Sequence, residues 1–214
     1  MLRIDVYSDY VCPYCFLAEG PLEAAAARFA GRVELEWRPF ELRPYPTPTL
    51  RPEGDYLQRA WASSVYPLAA SLGAEIVLPR VSPQPYTRLA FEGALFAAEH
   101  GLAKAYNHRM FTAFFQEERD IGEPEVLATL AGEIGLDAAA FEAALEQRAY
   151  REPCARLLRH AHETLGISSV PTIVIGARAI AGLAPQAQLE AMIQAALDAG
   201  GNETPRSDQG AGLP

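Results

Sequence analysis

The 214-residue chain is poor in cysteine, in lysine and in long apolar segments. Its three cysteines, a small and odd number, do not suggest the disulfide framework of a secreted domain. No stretch approaches the roughly 20 apolar residues that a membrane-spanning helix needs. Residues 1–10 lack the basic and apolar regions of a secretory signal. We therefore expect a cytoplasmic protein.

Positive charge is also scarce. The chain has 18 Lys and Arg against 27 Asp and Glu, which gives a formal net charge of -9. A surface of this sign disfavours binding to duplex nucleic acid and to the anionic face of a membrane. Half of the residues are apolar and 21% are charged, as in ordinary soluble globular proteins. The length suffices for one large domain, or for a small domain that carries an insertion.

The first forty residues contain a strand–helix–strand pattern. Residues 2–8 and 32–38 alternate apolar and polar side chains, which is typical of β-strands. Between them, Pro13 suits the first turn of a helix and Gly31 suits its end. The pattern predicts a βαβ unit, with YVCPYCFLA at residues 10–18 at the start of its helix.

Helices are predicted for the middle of the chain, after a proline-rich connector at 39–52. Pro124 suits a first helical position, and Asp137 suits the N-cap of a helix at 138–149. Cys154 lies on one of the apolar stripes, so we interpret it as a buried apolar residue. The stripes at helical spacing are Leu102, Tyr106, Met110 and Phe114; Leu127, Leu130, Ala131 and Ile134; and Leu157, Leu158, Ala161 and Leu165.

The pattern returns to β-strands near the C-terminus. Residues 170–176, VPTIVIG, form a β-branched run, and residues 178–182 form a hairpin partner. A last helix is predicted from Pro185. The order βαβ, helices, ββα is that of an α/β thioredoxin-like fold with an inserted all-helical domain.

This order also predicts domain boundaries. We expect residues 1–45 and 166–199 to form the two halves of a thioredoxin-like domain. Residues 46–165 are predicted to form the helical insertion. The polar, Gly- and Pro-rich residues 200–214 are predicted to be a disordered tail.

The Cys-x-x-Cys pair at the predicted helix start has the spacing of a redox dithiol. A helix N-terminus favours a thiolate, because its unpaired N–H groups and its macrodipole stabilise negative charge. Cys12 would lie at that exposed terminus, and Cys15 would lie on the same face within reach of a disulfide. We expect Cys12 to attack a substrate disulfide and Cys15 to resolve the mixed disulfide. No cofactor is expected.

Two other interpretations of the pair stay open from the residues alone. A structural zinc site conventionally needs four Cys or His ligands. Besides Cys154 the candidates are four histidines, of which His160 and His162 are two residues apart and so face different sides of a helix. The third interpretation is an incidental pair, which an exposed and electropositive helix start disfavours.

Four segments together resemble the DsbA-like thiol-disulfide oxidoreductases, in particular their cytoplasmic FrnE-type branch. The segments are SDYVCPYC, EWRPFELRP, FFQEERDIG and GISSVPTIVIGARAIAG, and the resemblance covers about residues 3–198. It implies exchange of disulfides with protein or peptide substrates, or with glutathione, through Cys12 and Cys15 as catalytic residues.

The resemblance also implies a substrate-binding site around Pro171. Thioredoxin-like enzymes place a cis-proline opposite the dithiol, and Val170 and Pro171 stand directly before the predicted hairpin. A cis bond there would expose the backbone of Val170 for pairing with an extended substrate segment. Pro13 and Tyr14, between the two cysteines, would border the same site.

The chain differs from the pattern of the DsbA-like enzymes at Tyr14. FrnE-type enzymes often carry Trp there, and periplasmic DsbA enzymes carry His, whose charge helps to stabilise the thiolate. Tyr14 is neutral, so we do not expect the strongly oxidising potential of DsbA. The same Pro-Tyr dipeptide occurs in glutaredoxins, whose potentials are roughly −200 to −230 mV.

Two alternative functions follow from the same pattern. Kappa-class glutathione transferases and 2-hydroxychromene-2-carboxylate isomerases share the inserted fold, but their corresponding segment reads Ser-Pro-Tyr-Ser or similar, and the serine holds the thiol of glutathione. The other alternative is a peptide-binding, chaperone-like module in which the thiols have no role. Cysteine at both 12 and 15 favours redox exchange over either.

Overall fold

The computed structural model describes residues 1–200, and the strands in that range form one mixed sheet. They are β1 (Leu2–Ser8), β2 (Val33–Pro39), β3 (Thr172–Ile175) and β4 (Arg178–Ala181). The strand order is β2-β1-β3-β4. β1 is parallel to β2 and antiparallel to β3, which is antiparallel to β4.

The helices follow the predicted order. They are α1 (Pro13–Ala27), α2 (Asp55–Ala60), α3 (Tyr66–Leu72), α4 (Arg88–Glu99), α5 (Ala103–Phe115), α6 (Pro124–Glu133), α7 (Ala138–Glu146), α8 (Arg151–Arg159) and α9 (Gln186–Asp198). A π-helical turn at Trp61–Val65 joins α2 to α3, and another at His160–Thr164 continues α8. Helices α2 to α8 all lie in the chain between β2 and β3. The domain boundaries at 45–46 and 165–166 stay a prediction.

Helix α1 provides the crossover that two parallel strands require. Pro13 occupies its first turn, and Cys12 before it has an extended backbone. After Ala27 the chain turns at Gly31, whose φ of +76° is accessible to glycine at little cost, and enters β2. The crossover therefore places the N-terminus of α1 just beyond the carboxyl end of β1.

The two faces of β1 contact different elements. Leu2, Ile4 and Val6 are buried against residues of α1 and α9. On the opposite face, Tyr7 packs with Phe40 and the residues around the end of α8. A third and larger cluster joins the N-terminal part of α1 to the helices between β2 and β3. Both faces of the sheet are thus covered.

Several boundaries differ slightly from the predictions. The second strand is Val33–Pro39 rather than 32–38, the helix predicted at 138–149 ends at Glu146, and Pro185 is the N-cap of α9. The Asp137 side chain accepts a hydrogen bond from the Ala140 N–H, which confirms it as an N-cap. The tail predicted at 200–214 lies outside the described residues, apart from Gly200.

The prediction that Leu165 belongs to a buried stripe is wrong. Leu157 and Leu158 are at least partly buried and Ala161 is fully buried, but Leu165 is 46% exposed. The Leu165 N–H donates to the carbonyl of His160, an i to i+5 bond. This π-helical turn contains one residue more than an α-helical turn, and so it rotates Leu165 away from the core face.

Close packing of α4 on α5 and α7 depends on the absence of a side chain at Gly93. A Cβ there would meet the Tyr106 hydroxyl and would lie 2.5 Å from Cζ of Phe141. We expect Gly93→Ala to lower the free energy of unfolding by about 1–3 kcal/mol, because both aromatic residues are fully buried. Urea denaturation followed by circular dichroism measures this.

Gly132→Ala is the matched control. A Cβ at Gly132 in α6 would make an ordinary contact with Ala138 at 3.4 Å. Removing a glycine from a helix then stabilises the fold by up to about 1 kcal/mol. Equal stabilities of the two variants would contradict the packing described for Gly93.

Candidate active site

Cys12 lies where two distant segments of the chain meet. It is the N-cap of α1, with φ −91° and ψ 111°. Its Sγ donates a hydrogen bond to the carbonyl oxygen of Val170 at 3.7 Å, although 158 residues separate the two in sequence. The Val170–Pro171 peptide bond is cis. The structure therefore brings Cys12 together with Val170 and Pro171.

Cys15 lies one turn further into α1 and is fully buried. Burial raises the pKa of the Cys15 thiol well above its ordinary value, and the hydrogen bond with Cys12 and the charge of a Cys12 thiolate raise it further. A hydrogen bond from the backbone N–H of Asp9 acts in the opposite direction. Cys15 consequently keeps its proton at neutral pH.

The expectation that the helix start is exposed is wrong for the sulfur. Cys12 is only 4% exposed, because the segment before β3 covers it and Val170 packs against the same cluster. Pro13 and Tyr14 are partly buried beside it, and Tyr14 packs against that cluster too. Val170, Pro13 and Tyr14 therefore lie beside Cys12.

Asp9, which the sequence analysis missed, is buried next to the dithiol. Its carboxylate accepts hydrogen bonds from the N–H groups of Leu42 at 2.7 Å and Val11 at 3.5 Å. Burial raises the pKa of Asp9 to about 6, while hydrogen bonds from Leu42, Thr87 and Val11 lower it. The signal in the sequence is a carboxylate placed between an apolar strand and the Cys-x-x-Cys pair. Asp9 ties the loop before α1 to the segment after β2.

Cys154 lies in the same core cluster as Cys12 and Cys15, near two buried glutamates that pair with arginines. Arg88 pairs with Glu41 at 2.5 Å, and Arg148 pairs with Glu92 at 2.6 Å. Burial raises the pKa of Cys154 to about 12, with an opposing contribution from Arg88. A thiol with this pKa is protonated at neutral pH and is a weak nucleophile. Its complete burial agrees with the interpretation as an apolar residue.

Residues 1–200 contain no group of three or more His, Cys, Asp and Glu side chains placed to hold a metal ion. In the same range, every helix is too short or too polar to cross a membrane.

A model of the DSBA-like thioredoxin domain matches residues 3–194, which is most of the chain. The chain belongs to the DsbA-like thioredoxin domain family. This confirms the predicted resemblance, together with the predicted α/β thioredoxin-like fold. Members of this family are generally disulfide oxidoreductases.

One relative in sequence and two solved structures are similar to this chain. The uncharacterized protein YwbO of Bacillus subtilis is 49% identical over 185 residues, which are 86% of this chain and 91% of YwbO. A probable DsbA oxidoreductase, SCO1869 from Streptomyces coelicolor, has a TM-score of 0.76 and 26% identity over 100% of both chains. The cytosolic disulfide reductase DsbM from Pseudomonas aeruginosa, in its structure with GSH, has a TM-score of 0.67 and 23% identity over 92% of this chain and 100% of DsbM. DsbM is similar in fold.

The three thiols are expected to differ in reactivity. Cys12 should react first with iodoacetamide at mildly acidic pH, at least roughly tenfold faster than the others, because it lies at the helix N-terminus while burial suppresses ionisation of Cys15 and Cys154. Peptide mapping by mass spectrometry measures the order. In denaturant all three should react alike, and preferential labelling of Cys15 or Cys154 in the folded protein would overturn the assignment.

Asp9 is expected to make stability depend on pH. Its pKa is about 6 in the folded state against an ordinary 3.8, so the folded state holds a proton that the unfolded chain has released. The contribution to stability is present at low pH and is lost as the pH rises from about 4 to about 6. Asp9→Asn does not titrate and should remove this slope, which amounts to at most about 3 kcal/mol.

Urea unfolding of both proteins across this pH range measures the effect. The variant should gain stability relative to the parent as the pH rises, whatever constant loss its altered hydrogen bonds cause. Asp55→Asn, at a side chain that is 90% exposed, is the control and should leave the slope unchanged. A parallel pair of curves for Asp9→Asn and the parent would refute the prediction.

Proposed function

We propose that the protein catalyses thiol-disulfide exchange through Cys12 and Cys15. The observation that carries the proposal is the contact of the Cys12 thiol, at the N-terminus of α1, with the Val170 carbonyl beside a cis-proline. A sulfur in this position lies next to backbone groups that an extended substrate can pair with. Membership of the DsbA-like family supports the same reaction class.

The exchange runs in two steps. The Cys12 thiolate attacks one sulfur of a substrate disulfide, forms a mixed disulfide and releases the other sulfur as a thiolate that takes up a proton. Cys15 then loses its proton and attacks the Cys12 sulfur, which releases the second substrate thiol and leaves a Cys12–Cys15 disulfide. Two electrons pass from the dithiol to the substrate. The reverse sequence oxidises a substrate dithiol.

The pKa of Cys15 changes in the direction that the second step needs. Part of the rise in its pKa comes from the hydrogen bond with Cys12 and the charge on Cys12. Both disappear once Cys12 is bound in a mixed disulfide. The pKa of Cys15 therefore falls when its thiolate is needed for the second step. Its burial meanwhile protects the thiol from reaction with other partners.

We propose protein or peptide thiols and disulfides as substrates, with Val170, Pro171, Pro13 and Tyr14 as the residues that bind them. Glutathione is the proposed small thiol, because DsbM, which shares the fold, has been crystallised with GSH. The neutral Tyr14 supports a potential closer to that of a glutaredoxin than to that of DsbA. Reaction with glutathione in the cytoplasm, as in the FrnE-type branch, is consistent with such a potential.

The proposed exchange reaction needs two thiols, whereas the alternative function, a glutathione transferase or isomerase, does not. A transferase holds glutathione at one position and does not require Cys15 to be oxidised. A chaperone-like module requires neither cysteine. Dependence of activity on both cysteines separates the three functions.

Cys15→Ser is expected to accumulate mixed disulfides with glutathione or with protein substrates, because the resolving thiol has been removed. Non-reducing electrophoresis and mass spectrometry detect them. Reduction of insulin by glutathione should fall by at least roughly a hundredfold in both Cys12→Ser and Cys15→Ser.

Cys154→Ser is the matched control, since it also removes a buried thiol but should leave insulin reduction unchanged. Cys12→Ser should form no mixed disulfide. Parental insulin reduction in both Cys12→Ser and Cys15→Ser would show that the dithiol is not the catalyst.

A further inference from the structure

Asp9 contacts both cysteines of the dithiol through its backbone. Its carbonyl oxygen accepts a hydrogen bond from the Cys12 N–H at 3.0 Å. This bond closes a tight turn over residues 9–12. The N–H of Asp9 donates to the sulfur of Cys15. One residue outside the Cys-x-x-Cys motif thus lies against both partners of the exchange reaction.

The buried carboxylate of Asp9 holds this turn in place. Its Oδ2 accepts from the Leu42 N–H at 2.7 Å, and its Oδ1 accepts from the Val11 N–H, inside the turn, at 3.5 Å. Thr87, just before α4, forms a further hydrogen bond with it. Hydrogen bonds to a charged acceptor are stronger than those between neutral groups. The carboxylate therefore fixes the position of the Asp9 backbone against three segments of the chain.

The donor on the Cys15 sulfur acts on the second step of the exchange. In that step Cys15 loses its proton and its sulfur bonds to the Cys12 sulfur. The bond from Cys12 to the substrate breaks, and the electron pair leaves on the substrate sulfur, which takes up a proton. The Cys15 thiolate forms at a fully buried position, where few groups can stabilise it. The Asp9 N–H is one group that does, and it lowers the pKa of Cys15.

The charge of Asp9 acts against its own backbone. An ionised carboxylate at Asp9 raises the pKa of Cys15, whereas the N–H lowers it and has the larger effect. Of the other charged groups nearby, Glu41 is paired with Arg88. Burial raises the pKa of Tyr10, which is neutral at neutral pH. The two effects of Asp9 have opposite signs, so a substitution can distinguish them.

We propose that Asp9 is a positioning residue for the resolving step. Its carboxylate binds the N–H groups of Leu42 and Val11, keeps its own N–H on the Cys15 sulfur, and so favours the thiolate that attacks the mixed disulfide. Asp9 acts through Cys15 and not on the substrate. This inference rests on the proposed exchange reaction and adds to it a residue that the Cys-x-x-Cys motif does not contain.

The test measures the reaction of the full chain with dithiobis(nitrobenzoate), which releases one coloured nitrothiobenzoate in each step. Cys154→Ser serves as the parent, so that only the dithiol reacts. The rate of the first release is proportional to the reagent concentration, and the rate of the second is independent of it. Stopped-flow absorbance therefore separates attack by Cys12 from resolution by Cys15.

Asp9→Asn should slow the second step by at least about threefold at neutral pH and change the first by less than about twofold. The amide keeps one acceptor oxygen but loses the other, so the turn holds the residue 9 N–H less firmly. If the pKa of Cys15 rises by about one unit, the thiolate fraction falls about tenfold. The more basic thiolate recovers about a factor of three in reactivity.

The direction of the change distinguishes positioning from charge. Loss of the negative charge alone would lower the pKa of Cys15 and accelerate the second step. Loss of positioning slows it and displaces its pH profile to higher pH. A merely structural role would change both steps together and would leave the pH profile of the second step in place.

A backbone ester tests the donor directly, also where Asp9→Asn fails to fold. Ligation at Cys12 joins a synthetic peptide of residues 1–11 to residues 12–214, so an ester can replace the Ser8–Asp9 amide in the full chain. The Asp9 N–H is then absent and the carboxylate is kept. The second step should again slow by at least about threefold.

An ester in place of the Asp9–Tyr10 amide is the matched control. Each ester weakens one carbonyl acceptor, that of Ser8 for the Phe40 N–H or that of Asp9 for the Cys12 N–H. The control keeps the Asp9 N–H, so its second step should have the parental rate.

The outcomes separate this inference from the exchange reaction. An unchanged or faster second step in the Ser8–Asp9 ester overturns the positioning role, as does equal slowing of both steps in Asp9→Asn. Either result leaves the exchange reaction intact if the parent reduces insulin. A parent that releases only one nitrothiobenzoate, like Cys15→Ser, and does not reduce insulin overturns both.

Discussion

The antiparallel pairing of β1 with β3 places the dithiol opposite Val170. In its register Tyr7 is opposite Thr172, so the chain that leaves β1 and the chain that enters β3 meet at one end of the sheet. The parallel pairing of β1 with β2 requires α1 to cross over, which sets its N-terminus at the same end. The contact between Cys12 and the Val170 carbonyl follows from these two pairings. A slip in either register would separate the thiol from the backbone beside it.

Buried charge links the dithiol to the helices between β2 and β3. Asp9 accepts a hydrogen bond from the N–H of Leu42. Glu41, which precedes Leu42, pairs with Arg88 at the start of α4. A buried carboxylate without partners is costly, so these bonds hold the loop before α1 against the segment after β2. The helices supply neither thiol, yet they help to determine where the thiols lie.

The strands β1 and β2 separate two concave regions with different chemistry. At the end of β1 lie sulfur, a carbonyl and a cis-proline, which are suited to covalent exchange with an extended chain. Along the free edge of β2 lies a cavity that aromatic rings and carboxylates line. Tyr10 belongs to the second region and is two residues from Cys12, so both regions share one short loop.

Local patterns were sufficient for the strands and for the helix start at Pro13, because alternation and the fixed φ of proline are short-range properties. Local patterns also indicated the family, because its motifs can be recognised in separate segments of the sequence without knowing which segments are in contact. The burial of Cys12, the role of Asp9 and the exposure of Leu165 could not be predicted in this way. Cys12 is covered and Asp9 is bonded by residues that are distant in sequence, and Leu165 is displaced by a π-helical turn. Only the pairing of strands and the packing of helices across the whole chain decide such features, because they depend on which distant groups come within a few ångströms.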